Sequence, residues 1–262
     1  MPESSETLTP RPLKRVASLF PVRCFVMALA LLTGITGVAA AASPDFLYLA
    51  PATVDLTVLL APPPAPGSDG EAVDLAAVIA ASQGRTPAEA ARAAADATTS
   101  ALRFADAMGA GFTVDNLPYA LPFLDRAAHD THALVSAAKV GFDRLRPQAV
   151  DARVAPLRSD GESGPSSTRR SGAYPSGHAA FAYVTAILLA AMVPEKGAEI
   201  FARAADYSHN RLIAGAHFPT DIDAGRIAGT VIAGQLLRDP RFLADFGRAR
   251  AEVRHALGYA VP

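Results

Sequence analysis

Lys139 and Arg146-Pro147, then Pro175-Ser176-Gly177-His178, then Arg211 with His217 and Asp221 place cations, histidines and a carboxylate in three short segments. Each segment alone is a weak signal. Together they supply what a transferring phosphoryl group requires: three fixed positive charges, a helix start that can hold an oxyanion, one histidine to attack and one to protonate. Lys139 and Arg146 lie seven residues apart, which on one helix is two turns and a shared face. Ser176 is suited to cap a helix, and Gly177 lets an anion approach the backbone N–H groups at its start. His178, in that first turn, can give a proton to a leaving alkoxide. Arg211 can grip two phosphate oxygens with its planar fork. His217 precedes Phe218-Pro219 at a helix entrance, and a carboxylate four residues on can orient its ring. Asp223 competes with Asp221 for that role, because either acid also suits the first turn of a helix.

The elements that must position these residues are helical. Half of the 262 residues are hydrophobic, alanine-rich stretches dominate, and β-branched alternation is scarce, so an all-α, single helical domain is expected. Helices are expected over 71–83, over 87–108 with Thr86 as N-cap, over 122–145, over 177–193 as the buried central helix, and over 195–213, 220–237 and 240–257. The run Leu60-Ala61-Pro62-Pro63-Pro64-Ala65-Pro66-Gly67 reads as an extended strap. Residues 148–174 form a long loop between two of the motifs and read as a rim of the site. Its Arg153, Arg158, Arg169 and Arg170 read first as solvated surface arginines. His129 and His132 flank Asp130 at helical spacing, but no third or fourth metal ligand lies near, so a solvated helix face is the better reading.

Residues 1–42 carry the marks of a cleaved signal peptide. Arg11, Lys14, Arg15 and Arg23 precede an apolar run from Phe25 to Val38, and Ala40-Ala41-Ala42 fits a cleavage site, leaving 43–262 as the mature domain. Periplasmic or secreted localisation follows, with no stable membrane insertion after cleavage. Cys24, the single cysteine, leaves with that segment, so neither disulfide nor thiol chemistry is expected. A formal charge of −1 gives no basic face for nucleic acid.

The spacing Lys139-(six)-Arg146-Pro147, Pro175-Ser176-Gly177-His178 and Arg211-(five)-His217-(three)-Asp221 resembles the PAP2 and vanadium-haloperoxidase superfamily. Tyr48-Leu49 with the Pro62-Pro63-Pro64 strap, Ser171-Gly172-Ala173-Tyr174, and Asp221-Ile222-Asp223-Ala224-Gly225-Arg226 resemble the secreted class A bacterial acid phosphatases. The resemblance implies a metal-independent phosphatase of small phosphate monoesters, with no cofactor. By it, His217 forms a phosphohistidine, Asp221 orients His217, and His178 is the general acid and then the base. Lys139, Arg146, Ser176, Gly177 and Arg211 hold the phosphoryl oxygens. The family usually has serine before the arginine where this chain has Asn210, which implies an altered phosphate pocket. A vanadate-dependent haloperoxidase using the same pocket, or a weakened phosphate-binding protein, are the alternatives. A homo-oligomer stays open.

Overall fold

The computed structural model describes residues 47–50, 53–157 and 172–261. The expected signal segment 1–42, together with Arg158, Arg169, Arg170 and Ser171, lies outside the described residues. Several helix starts are written in local capping chemistry. Asp55 caps the short α1 (Leu56–Leu59), and Ser68 caps α2 (Asp69–Gly84) by accepting from the Glu71 N–H. Thr86 and Glu89 close a capping box on α3 (Pro87–Ala95), with Pro87 in the first turn.

The single helix expected over 87–108 does not form. α3 stops at Ala95, a 3-10 turn follows over Ala101–Phe104, and α4 (Ala105–Met108) continues from it. Thr98, Thr99 and Ser100 are poor helix formers, and Ser100 uses its hydroxyl to cap the 3-10 turn. The break has a tertiary cause as well. The carboxylate of Asp96 and the carbonyls of Ala97 and Thr98 are all bonded by side chains from other helices.

Then come α5 (Ala120–Phe142), α6 (Pro147–Val150), α7 (Gly177–Met192), α8 (Gly197–Ile213), α9 (Pro219–Leu236) and α10 (Pro240–Ala256). No strand occurs among the described residues. The expected helices from 177 onward match to within two residues. α7 is the buried centre, packed against α5, α8 and α9, as its nearly unbroken apolar sequence predicts. The described residues include no helix long and apolar enough to cross a membrane.

Two further contacts hold the frame that carries the site. Asp130 on α5 is fully buried and accepts from the backbone N–H groups of Leu47, Tyr48 and Leu49, tying the start of the described chain to the bundle. At the strap, the Tyr174 hydroxyl donates to the Ala61 carbonyl.

α9 meets α7 at Gly225 and Gly229. A Cβ on Gly225 would press into the Ser176 carbonyl oxygen and lie 2.8 Å from Ala179 Cβ. That close approach lets the Ser176 N–H donate to the Asp221 carbonyl at 2.9 Å, joining the starts of α7 and α9. Gly225→Ala is therefore expected to cost roughly 1–3 kcal/mol by overpacking, read as a lower midpoint of denaturation, and to lower activity in the same variant. Gly234→Ala, where nothing lies within 4 Å, is the matched control and should be neutral or slightly stabilising.

Candidate active site

His217 sits where α8 turns into α9. Gly215 adopts φ 67°, a left-handed conformation that costs a residue with a Cβ, and reverses the chain just before it. Pro219 then starts α9, and the Asp221 carboxylate accepts the Phe218 N–H at 2.9 Å, so helix capping fixes the acid beside the histidine. His217 Nδ1 lies 3.2 Å from Asp221 Oδ2. An ionised carboxylate can only accept, so Nδ1 carries the proton and Nε2 keeps its lone pair. Asp223, the competing acid, is exposed and pairs with Arg226 across solvent at 3.7 Å.

Arg146 Nη1 lies 2.9 Å from that Nε2 and donates to the Ala216 carbonyl at 2.9 Å. Its placement differs from the expectation of one shared helical face. α5 ends at Phe142, Asp143 turns left-handed at φ 45°, and Arg146 is extended ahead of Pro147. Lys139 and Arg146 converge on the cleft from a helix end and a loop instead. Lys139 Nζ also donates to the Gly172 carbonyl at 2.6 Å and the Ala173 carbonyl at 3.3 Å. Burial, with the Arg146 charge, pulls its pKa down to about 7.

Ser176 caps α7 by accepting from the Ala179 N–H at 3.3 Å, which leaves its hydroxyl hydrogen to donate. In the next turn His178 Nε2 lies 2.9 Å from the Ala97 carbonyl oxygen. A carbonyl accepts only, so Nε2 holds a proton and Nδ1 is the nitrogen left for exchange. The ring stacks on Tyr207, 6.2 Å between centroids. Burial and the charges of Arg211, Arg146 and Lys139 pull His178 down to about 3, with the Ala97 carbonyl opposing them. Burial and the same three cations, Arg146 first, hold His217 well below the usual histidine range. His178 is thus neutral above about pH 3.

Lys139, Arg146, Gly177, His178, Arg211 and His217 line one cleft of about 670 Å³. Asp221 stands behind His217 and Ser176 behind the α7 start; neither lines the cleft itself. His129 and His132 are exposed, as a solvated face requires, yet both line this cleft, with His132 Nε2 3.4 Å from Ser136 Oγ. Among the described residues no group of three could hold a metal ion. Arg153 is an exposed partner of Asp151, in keeping with its reading as a surface arginine.

Arg144 was not singled out by the motifs. Its buried guanidinium donates to Asp221 Oδ1 at 2.6 Å, Thr220 Oγ1 at 2.7 Å and Asp74 Oδ2 at 2.7 Å, and lies 4.1 Å over the Phe218 ring. Burial raises the Asp221 pKa, and Arg144 with the Phe218 N–H works against that rise. A signal for Asp74 existed. It falls on the buried stripe Asp74, Val78, Ser82 of α2, four residues apart, where an acid needs a partner.

Residues 129–243 match the PAP2 superfamily. This match takes in every motif residue from Lys139 to Asp221, while Asp74 and Asp96 fall outside it. The chain is similar to a "Non-specific acid phosphatase" of Salmonella typhimurium, 36% identical over 85 residues, or 32% of this chain and 34% of that protein. It thus spans about a third of the length of that relative. Longer similarities reach an "Acid phosphatase" of Zymomonas mobilis, 29% identical over 77% of this chain and 76% of the other. A "Non-specific acid phosphatase" of Providencia stuartii is 29% identical over 80% of this chain and 85% of that protein. Lys139, Arg146, Gly177, His178, Arg211 and His217, which line the cleft, all fall within the matched residues.

Proposed function

We propose that this chain is an acid phosphatase that hydrolyses small phosphate monoesters through a phosphohistidine on His217. The observation that carries the reading is the His217 ring, with Nδ1 committed to Asp221 and Nε2 against Arg146 in a cleft that Lys139 and Arg211 also line. Nε2 attacks phosphorus in line, so that the P–N bond forms as the P–O bond to the alcohol breaks. His178 passes its Nδ1 proton to the departing oxygen. In the second step water gives a proton back to Nδ1, attacks phosphorus and releases inorganic phosphate and free His217. Arg146 must leave Nε2 for a phosphoryl oxygen as the ester enters. Its guanidinium therefore shields the nucleophile at rest and frees it on binding. The three cations, with the Ser176 hydroxyl and the Gly177 N–H, neutralise the equatorial oxygens without need of a divalent ion.

Polar side chains interrupt the cleft walls, with Thr99, His129, His132 and Ser136 among Ala128, Val135 and Phe181, which suits a compact hydrophilic alcohol over an acyl chain. The name shared by several relatives, acid phosphatase, supports the same reaction class. Residues 1–42 are proposed to direct export and to be cleaved after Ala42; N-terminal sequencing of the exported protein tests this.

The pH dependence follows from charge. Lys139 is protonated below about pH 7 and loses its charge above it. A phosphate ester loses its second proton near pH 6, roughly. With His178 at about 3, the leaving-group proton enters with the monoanionic ester and passes to Nδ1 once the phosphate charge lies beside it. Consequently kcat/KM is expected to fall by at least about tenfold per pH unit once pH is well above neutrality. In Lys139→Arg the charge persists, so the limb should then follow the ester alone; a rate rising with pH would contradict this. The function itself is tested by p-nitrophenyl phosphate hydrolysis in EDTA. Absence of turnover by folded protein at any pH would overturn it.

A further inference from the structure

Asn210 departs from the family's usual serine, and the structure turns its amide away from the phosphate end of the cleft. Its Nδ2 donates to Asp96 Oδ2 at 2.7 Å. Asp96 is fully buried and ends α3, where Oδ1 also accepts from Arg103 Nε at 2.8 Å and Arg203 Nη2 at 2.5 Å. The next two residues hand their carbonyls to the site. Ala97 accepts His178 Nε2–H at 2.9 Å, and Thr98 accepts the Tyr207 hydroxyl at 2.9 Å. Arg203, Tyr207 and Asn210 are spaced i, i+4, i+7 on α8, so one helix face meets this one loop.

We propose that Asn210 is a positioning residue for His178, acting through Asp96 and the Ala97 carbonyl. The carbonyl does for His178 what Asp221 does for His217: it fixes which nitrogen carries the resident proton and which exchanges a proton in the cleft. Displacement of the loop by a fraction of an ångström would lengthen the bond to Nε2 and release the ring to rotate. The serine usual in the family is one bond shorter than asparagine and does not reach Asp96 from the same backbone position. Asp96 would then keep two of its three donors, and the break between α3 and the 3-10 turn would lose its tie to the end of α8. Asn210 thus acts on proton transfer to the leaving group and leaves phosphate affinity largely unchanged. The inference rests on the reading of His178 as general acid.

Leaving-group dependence separates positioning from a merely structural role. A general acid matters most when the departing alcohol is a poor leaving group, and its contribution is about 10²–10⁴-fold. The experiment compares kcat/KM for p-nitrophenyl phosphate and for glycerol phosphate in the wild type, His178→Asn, Asn210→Ser and Asn210→Asp. His178→Asn is expected to lose at least about a hundredfold more on glycerol phosphate than on the aryl ester. Asn210→Ser should show the same sense at smaller size, about tenfold on glycerol phosphate and within threefold on the aryl ester. Asn210→Asp, which sets a second carboxylate against Asp96, should exceed it. If thermal unfolding shows the Asn210 variants to be unfolded, Tyr207→Phe removes the hydroxyl bond to the same loop and should discriminate in the same direction. Equal losses on both esters in the Asn210 variants and in Tyr207→Phe, with discrimination in His178→Asn, would overturn the inference alone. Equal losses in His178→Asn would overturn the general-acid reading and the inference with it.

Discussion

Replacing His217 with alanine is expected to lower kcat on p-nitrophenyl phosphate by at least about a thousandfold, or about 4 kcal/mol of transition-state stabilisation. The reason is chemical. Within the cleft, Arg146 Nη1 lies on His217 Nε2 and Asp221 holds Nδ1 from behind, while the Ala97 carbonyl holds His178 Nε2, and the proposed mechanism gives the His178 Nδ1 lone pair to proton exchange. Loss of the ring removes the covalent route and leaves a cation cluster that still binds phosphate. KM should therefore change far less than kcat, which distinguishes a missing nucleophile from a collapsed site. His217→Gln keeps bulk and an amide donor for Asp221 but has no nucleophilic nitrogen, so it should be as inactive as alanine while unfolding closer to the wild type. Steady-state rates beside thermal denaturation check both statements. Turnover within tenfold of wild type in either variant would refute the assignment.

Arg144→Met is expected to damage stability and rate together, for reasons that a companion change separates. The guanidinium is almost wholly buried and bridges two carboxylates, Asp74 on α2 and Asp221 on α9. Removing one partner from a buried ion pair typically costs about 3–5 kcal/mol, because the remaining charge keeps its desolvation penalty without its partner. Here two carboxylates would be stranded, and burial already raises the Asp221 pKa, so Asp221 would take up a proton more readily. A protonated Asp221 no longer holds the His217 proton on Nδ1, and the rate should fall by about a hundredfold. Adding Asp74→Asn removes one of the stranded charges. The double variant should recover part of the stability, read as denaturant midpoint, and almost none of the rate. Equal recovery of both would show that Arg144 acts on folding alone.

These two predictions divide along what was legible in the sequence. The residues proposed as nucleophile, orienting acid and cation set stand out because a histidine and carboxylate four apart, or Ser-Gly-His ahead of an apolar run, have local meaning. The helices from α7 to α10 were legible for the same reason, since their period and caps are local. Arg144 and Asp74 were not, because the pair is 70 residues apart and becomes chemistry only when α2 packs beside α9. The stop of α5 at Asp143 was missed because Pro147 pointed to a later end, and that error put Arg146 on the wrong element. The break after α3 was missed for a different reason. Ala-rich residues before it favour helix, and the competing bonds to Asp96, Ala97 and Thr98 come from α7, α8 and the 3-10 turn. Asn210 stands out in the sequence, but its bond to Asp96 Oδ2 is not legible there because the partner lies 114 residues earlier. His129 and His132 read correctly as exposed, yet their place on the cleft wall depends on how α5 passes the start of α7.

The most direct test of the covalent account is to quench the full chain during turnover and map the phosphate by mass spectrometry under alkaline conditions, which preserve phosphohistidine. The account predicts phosphate on His217, labile to acid and absent from His217→Ala. An active enzyme that carries phosphate on another residue, or turns over with no phosphoenzyme at saturating substrate and the earliest quench times, would contradict it.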